Sequence, residues 1–124
     1  MYEICITTSF ASAHCLRGYE GACENIHGHN WNVEVIVRTE KLNAIGLGID
    51  FKRLKKMTDE TLAQVDHKDI NQVPPFDRIN PSSENLAKWL FEEIGKKLNS
   101  DSLWVHRVNI RETDFFTASY FEKI

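Results

Sequence analysis

The chain has 124 residues, 42% of them hydrophobic, and a formal net charge of −3. That size reads as one domain, 1–124, with apolar residues enough for an ordinary core. The mild negative charge gives no reason to expect nucleic acid or an anionic membrane as partner, and no apolar run approaches the ~20 residues of a membrane span.

The N-terminus enters an alternating segment directly, so no signal peptide is expected. Three cysteines, Cys5, Cys15 and Cys23, are an odd number without a disulfide framework. Together these point to a reduced, cytoplasmic protein.

The first predicted strand covers about 2–13, and His14 closes it. Tyr2, Ile4, Ile6, Thr8, Phe10, Ser12 and His14 share one face, because side chains alternate along a strand. A long loop carrying Cys15, Arg17 and Cys23 leads to a second strand, 27–39. There His27, His29, Trp31, Val33, Val35 and Val37 share a face. Asn30, Asn32, Glu34 and Arg38 lie opposite, with Ile36 the apolar exception. If the strands pair antiparallel, His14 lands beside His27 and His29 at one end of the buried face. Three imidazoles on one face suit a three-histidine zinc site with an open position, the arrangement that holds a reactive water or a substrate oxygen. Singly, each would read as an ordinary strand-end residue.

Cys23 precedes His27 by four residues. It reads as a small loop residue, as a fourth zinc ligand, or as a catalytic thiol whose ionisation a nearby cation would favour. The thiol reading is preferred, since an open metal site needs a partner that moves protons. Cys5 falls on the outer face of its strand and has no separate claim to chemistry.

Gly46 and Gly48 punctuate the loop that follows. Asp50 is a suitable N-cap for a helix to about Val65, with Phe51, Leu54, Thr58, Leu62 and Val65 as its inner stripe. Next come Asp66 and His67; alone they read as a solvated loop pair, although a histidine beside a carboxylate can relay a proton near neutral pH. A second helix is expected from Ser82 or Ser83 to about Leu98, with Leu86, Trp89, Leu90, Ile94 and Leu98 as its apolar face. Strands near 103–113 and 117–123 finish the chain. His106 reads as structural. Trp104, Val108, Ile110 and Glu112 are expected on one face of the third strand. A carboxylate ending an apolar face is costly unless paired. Glu112 therefore reads either as a strand-end residue reaching water or as an anchor for two parallel N–H donors, such as an arginine or the 2-amino and N3–H edge of a pterin or guanine.

The order ββααββ implies an α+β layer: a four-stranded antiparallel sheet with two helices on one face. Its two open edges favour pairing between subunits.

Phe10-Ala11-Ser12-Ala13-His14, Cys23-x-x-x-His27-Gly28-His29, Asp66-His67, Asn80-Pro81-Ser82-Ser83-Glu84-Asn85-Leu86 and Arg111-Glu112-Thr113 together resemble the 6-pyruvoyl-tetrahydropterin synthase family. The cysteine-to-histidine spacing looks most like its 6-carboxy-tetrahydropterin synthase branch, which serves queuosine and related 7-deazapurines. The resemblance implies the tunnelling fold, with trimers stacked as a homohexamer and sites between subunits. It implies zinc on His14, His27 and His29, proton abstraction by Cys23, a relay of Asp66 and His67, and a pterin ring gripped by Glu112. Ser82 and Ser83, which stand where the family commonly has Pro-Thr-Ser or Thr-Thr, would contact the pterin. The implied substrate is 7,8-dihydroneopterin triphosphate, converted to 6-carboxy-5,6,7,8-tetrahydropterin with loss of acetaldehyde and triphosphate. The alternatives are the pyruvoyl synthase, a folate-branch lyase leaving a hydroxymethyl pterin, or a purine- or pterin-binding protein with structural zinc. Lys52, Arg53, Lys55, Lys56, Arg17, Lys68 and Arg78 supply positive charge, but no phosphate site is assigned.

Overall fold

The computed structural model describes residues 1–18 and 25–123. In order these form β1 (Tyr2–His14), β2 (His27–Thr39), α1 (Phe51–Leu62), a short 3-10 turn (Ile70–Gln72), α2 (Ser83–Leu98), β3 (Leu103–Thr113) and β4 (Phe116–Tyr120). The four strands make one antiparallel sheet in the order β1-β2-β3-β4. Both helices pack on one face of it, α1 against β1 and α2 against β3 and β4. No helix among the described residues is long and apolar enough to cross a membrane.

The alternation of β1 and β2 sets their shared face. Ile6 and Phe10 from β1, and Trp31, Val33, Val35 and Val37 from β2, are buried beneath Leu54 and Leu62 of α1 and Leu86, Leu90 and Ile94 of α2. The opposite face carries Glu3, Arg38, Glu34 and Asn109, joined by Arg38 donating to Glu3 at 2.7 Å and Asn109 donating to Glu34 at 3.3 Å.

Four expectations need correction. α1 ends at Leu62 rather than Val65. Its last turn tightens into i→i−3 bonds, Gln64 N–H to the Thr61 carbonyl and Val65 N–H to the Leu62 carbonyl. Val65 is still buried, but Phe51 is 62% exposed. Helical Cβ bonds tilt toward the N-terminus, so a side chain at the first position projects beyond the helix. The buried stripe is instead Leu54, Thr58, Thr61 and Leu62.

The third correction concerns β3. Val37 pairs with Val105 while Ile36 pairs with Arg107, leaving His106 as an extra residue. Such a bulge inverts the alternation on one side of it. Val105 therefore joins Val108 and Ile110 in the core, and Trp104, opposite Arg38, leaves that face. β4 is also shorter than expected: Phe121 leaves the ladder and packs under the Arg107 guanidinium, 4.3 Å from its ring centre.

Candidate metal centre

The register of β1 and β2 pairs His14 with His27, and Ser12 with His29. All three imidazoles consequently meet at one end of the buried face, with ring centres 4.6–5.4 Å apart. They rest on Trp31, which is fully buried and lies 4.8 Å from His14 and 5.4 Å from His29.

Glu112 completes the group. A second irregularity, where Arg111 pairs with Thr117 and Thr113 with Phe116, leaves Glu112 as the unpaired residue between them. Bulges re-aim side chains, and here Oε1 reaches 3.1 Å from His14 Nε2, 2.9 Å from His29 Nε2 and 3.9 Å from His27 Nε2. The four ligand atoms lie within 4.8 Å of one another. Tetrahedral metal–ligand bonds near 2.0 Å have edges of about 3.3 Å, so small shifts would let the three imidazole nitrogens share one ion, with the Glu112 carboxylate beside its open position.

Proton placement gives a second argument. His14 Nδ1 lies 2.8 Å from the Pro81 carbonyl, and His27 Nδ1 lies 2.9 Å from the Asn25 carbonyl. Carbonyls only accept, so each Nδ1 carries the proton. In the neutral rings both Nε2 atoms then present bare lone pairs toward the carboxylate. Such an approach at 3.1 Å is satisfied by a proton or by a metal ion shared with the carboxylate. His29 Nε2 is buried with no hydrogen-bond partner, since its 2.9 Å approach to Glu112 lacks hydrogen-bond geometry. Burial holds the His29 imidazole below its ordinary range; Glu112 opposes this, and His27 and His14 reinforce it. That shift favours the neutral, ligating form. Three imidazole nitrogens beside a carboxylate, with the outer nitrogens of His14 and His27 held by carbonyls, are a donor set suited to zinc or a similar divalent ion.

Beside this group runs a groove of about 390 Å³ lined by Ser83, Glu84, Glu112 and the β4 residues Phe116–Ser119. Ser83 is buried at its edge. The Ser82 hydroxyl caps α2 by accepting the Asn85 N–H at 3.1 Å, which leaves its own O–H free to donate.

Asp66 and His67 form a pair, 2.9 Å apart, at the outer margin of β1. Adjacent side chains need a turn to touch, and His67 supplies it with a φ of 56°. The turn is anchored on β1 by the His67 N–H to the Ala11 carbonyl and the Ala11 N–H to Asp66 Oδ1. The His67 side chain is 81% exposed. Neither residue joins the four-residue cluster within this chain. Cys23 lies outside the described residues.

Arg17 donates to the carbonyls of Asn71, Phe76 and Ile79 at 3.2, 2.7 and 3.3 Å. On α1, Lys55 pairs with Asp59 and Lys56 approaches Glu60. These cations are engaged within the chain. Sequence reasoning missed the carboxylate among the imidazoles, the Pro81 and Asn25 carbonyls behind them, and the β4 wall of the groove. Only the carboxylate had a signal, an acidic residue closing an apolar face.

The sequence profile of 6-pyruvoyl tetrahydropterin synthase matches residues 3–123. A dihydroneopterin monophosphate aldolase of Pyrococcus furiosus is 36% identical over 108 residues, covering 82% of this chain and 88% of that protein. A 6-carboxy-5,6,7,8-tetrahydropterin synthase of Synechocystis is 30% identical over 118 residues, covering 91% and 88%. The solved 6-pyruvoyl tetrahydropterin synthase of Caenorhabditis elegans superposes with a TM-score of 0.84 at 27% identity, covering 98% of this chain and 96% of that one. The fold, with its helices on one face of a ββααββ sheet, and the match along almost the whole sequence place this chain in the 6-pyruvoyl tetrahydropterin synthase family.

Proposed function

We propose that this chain is a zinc-dependent lyase acting on the side chain of 7,8-dihydroneopterin triphosphate. Its product is 6-carboxy-5,6,7,8-tetrahydropterin, formed with release of acetaldehyde and triphosphate for 7-deazapurine synthesis such as that of queuosine. The observation that carries the reading is the convergence of His14, His27 and His29 on a carboxylate at the mouth of a groove. The Synechocystis relative supports the carboxy product.

In this reading His14, His27 and His29 hold the ion. When bound, zinc supplies Lewis-acid stabilisation of negative charge developing on side-chain oxygens. Glu112 grips the 2-amino and N3–H edge of the pterin as a bidentate acceptor. Ser83 borders the ring, and Ser82 holds the helix N-terminus in place. Cys23 takes a proton from a side-chain carbon, and His67, oriented by Asp66, moves the proton on the other side. His67 is exposed and outside the cluster within one chain, which supports a site completed between subunits. A homohexamer of two trimers, closing the open edges of β1 and β4, would bring the parts together.

A second reading is favoured by the Pyrococcus relative. An aldolase would break the side-chain carbon–carbon bond and leave a hydroxymethyl pterin and a phosphorylated two-carbon aldehyde. Mass spectrometry of products from zinc-loaded protein given 7,8-dihydroneopterin triphosphate and, separately, the monophosphate separates the two. Carboxy-tetrahydropterin with acetaldehyde supports the proposal; hydroxymethyl pterin from the mono- or triphosphate supports the second reading. Unchanged substrate with zinc bound refutes both and favours a pterin- or purine-binding protein.

A further inference from the structure

Two asparagine side chains grip the segment that follows His14. Asn71 Oδ1 accepts the Cys15 N–H at 2.9 Å, and its Nδ2 donates to the Cys15 carbonyl at 3.0 Å. Asn80 does the same to Arg17, accepting its N–H at 2.8 Å and donating to its carbonyl at 2.9 Å. Each amide thus replaces a neighbouring strand where β1 has ended. Asn80 is in turn held by Asn85 Nδ2, which donates to its carbonyl at 2.8 Å. The next residue is Pro81, whose carbonyl faces His14 Nδ1 at 2.8 Å.

These bonds close a ring: His14 through Cys15 and Leu16 to Arg17, across to Asn80, along to Pro81, and back to the His14 imidazole. The ring sets the distance between the backbone that carries His14 and the carbonyl that orients it. Arg17 braces the far side by donating to three carbonyls of the 71–79 loop. A ring this small transmits displacement. If Asn80 lets go, Pro81 and His14 no longer have a fixed separation, and the Nε2 lone pair loses its aim.

We propose that Asn80 is a positioning residue for the metal centre, acting through the Pro81 carbonyl and His14. The inference rests on reading the three-histidine cluster as a metal site. Groups hydrogen-bonded to a ligand typically change metal affinity about 10–100-fold when removed; Asn80 stands one step further back, so Asn80→Ala should come at the low end, about tenfold.

The test uses cobalt(II) as probe on metal-stripped full-length protein, with Kd from chelator competition and coordination from visible absorption. Asn99→Ala is the control, because Asn99 Oδ1 likewise accepts a backbone N–H, that of Val105 at 2.9 Å, at the C-terminal cap of α2. Asn80→Ala should raise the cobalt Kd about tenfold and change the absorption bands, while Asn99→Ala leaves both as in the wild type. Should Asn80→Ala fail to fold, Asn80→Asp keeps the acceptor and loses the donor, and a weaker shift in the same two readouts carries the test. Wild-type affinity and spectrum in the Asn80 variants overturn the inference. No cobalt uptake by the wild type overturns the metal reading itself, a different result.

Discussion

Replacing His29 and His14 in turn separates the metal from the fold. His29 Nε2 is buried without a hydrogen-bond partner, and its side chain is 20% exposed. A buried unpaired polar atom costs about 1–3 kcal/mol. His29→Ala removes that cost along with some packing on Trp31, so metal-free stability should change by no more than about 1 kcal/mol. His14 is 1% exposed and its Nδ1 satisfies the Pro81 carbonyl. His14→Ala leaves that carbonyl unpaired and a hole against Trp31, a loss of about 2–5 kcal/mol. With zinc at a hundred times its Kd, the wild type should gain about 2.7 kcal/mol. At about 3–5 °C per kcal/mol for a domain of this size, Tm should rise by about 8–14 °C. Thermal unfolding at one protein concentration, with and without zinc, reads all of this. The zinc-dependent rise should vanish in both variants, while only His14→Ala melts markedly earlier without metal. A full zinc response in His29→Ala, or none in the wild type, would refute the reasoning.

Other expectations follow from single side chains. Glu112→Gln keeps the shape but gives up the charged acceptor that would hold the pterin; two charge-assisted bonds are worth about 1.5–3 kcal/mol each. kcat/KM should therefore fall at least 100-fold in steady-state assays while the three imidazoles still take up zinc, and near-normal kcat/KM would remove Glu112 from substrate binding. Cys23→Ser should retain zinc in metal analysis and lose turnover; loss of zinc instead would make the thiol a ligand. Burial, aided first by Arg38, holds His106 below its ordinary range. The unfolded chain therefore takes up a proton near pH 6.5 that the folded chain refuses, and stability declines as pH falls through that value. Denaturant titrations of His106→Gln should show a shallower decline as pH falls below about 6.5, and an unchanged slope would clear His106 of the effect.

Much of the fold was legible because β1 and β2 alternate along their length, with Ile36 the one apolar residue on the outer face of β2. An antiparallel pair with one buried face has few registers open to it, and so the imidazoles of His14, His27 and His29 could be brought together on paper. β3 was harder. A one-residue bulge at His106 leaves no mark in composition, yet it exchanges Trp104 for Val105 in the core. The same kind of irregularity at Glu112 brought its carboxylate onto the imidazoles, whereas sequence alone left it choosing between water and a ligand. Phe51 fitted a helical stripe by spacing and failed it by position, since it begins the helix. The bracing by Asn71 and Asn80 has no local mark in the sequence, because a side chain that imitates a strand depends on contacts more than fifty positions away.

X-ray absorption on the zinc-loaded protein tests the open metal site most directly. The account predicts nitrogen and oxygen ligands alone at about 2.0–2.1 Å. A zinc–sulfur shell near 2.3 Å would close the site with a cysteine, make the ion structural, and contradict the proposed chemistry.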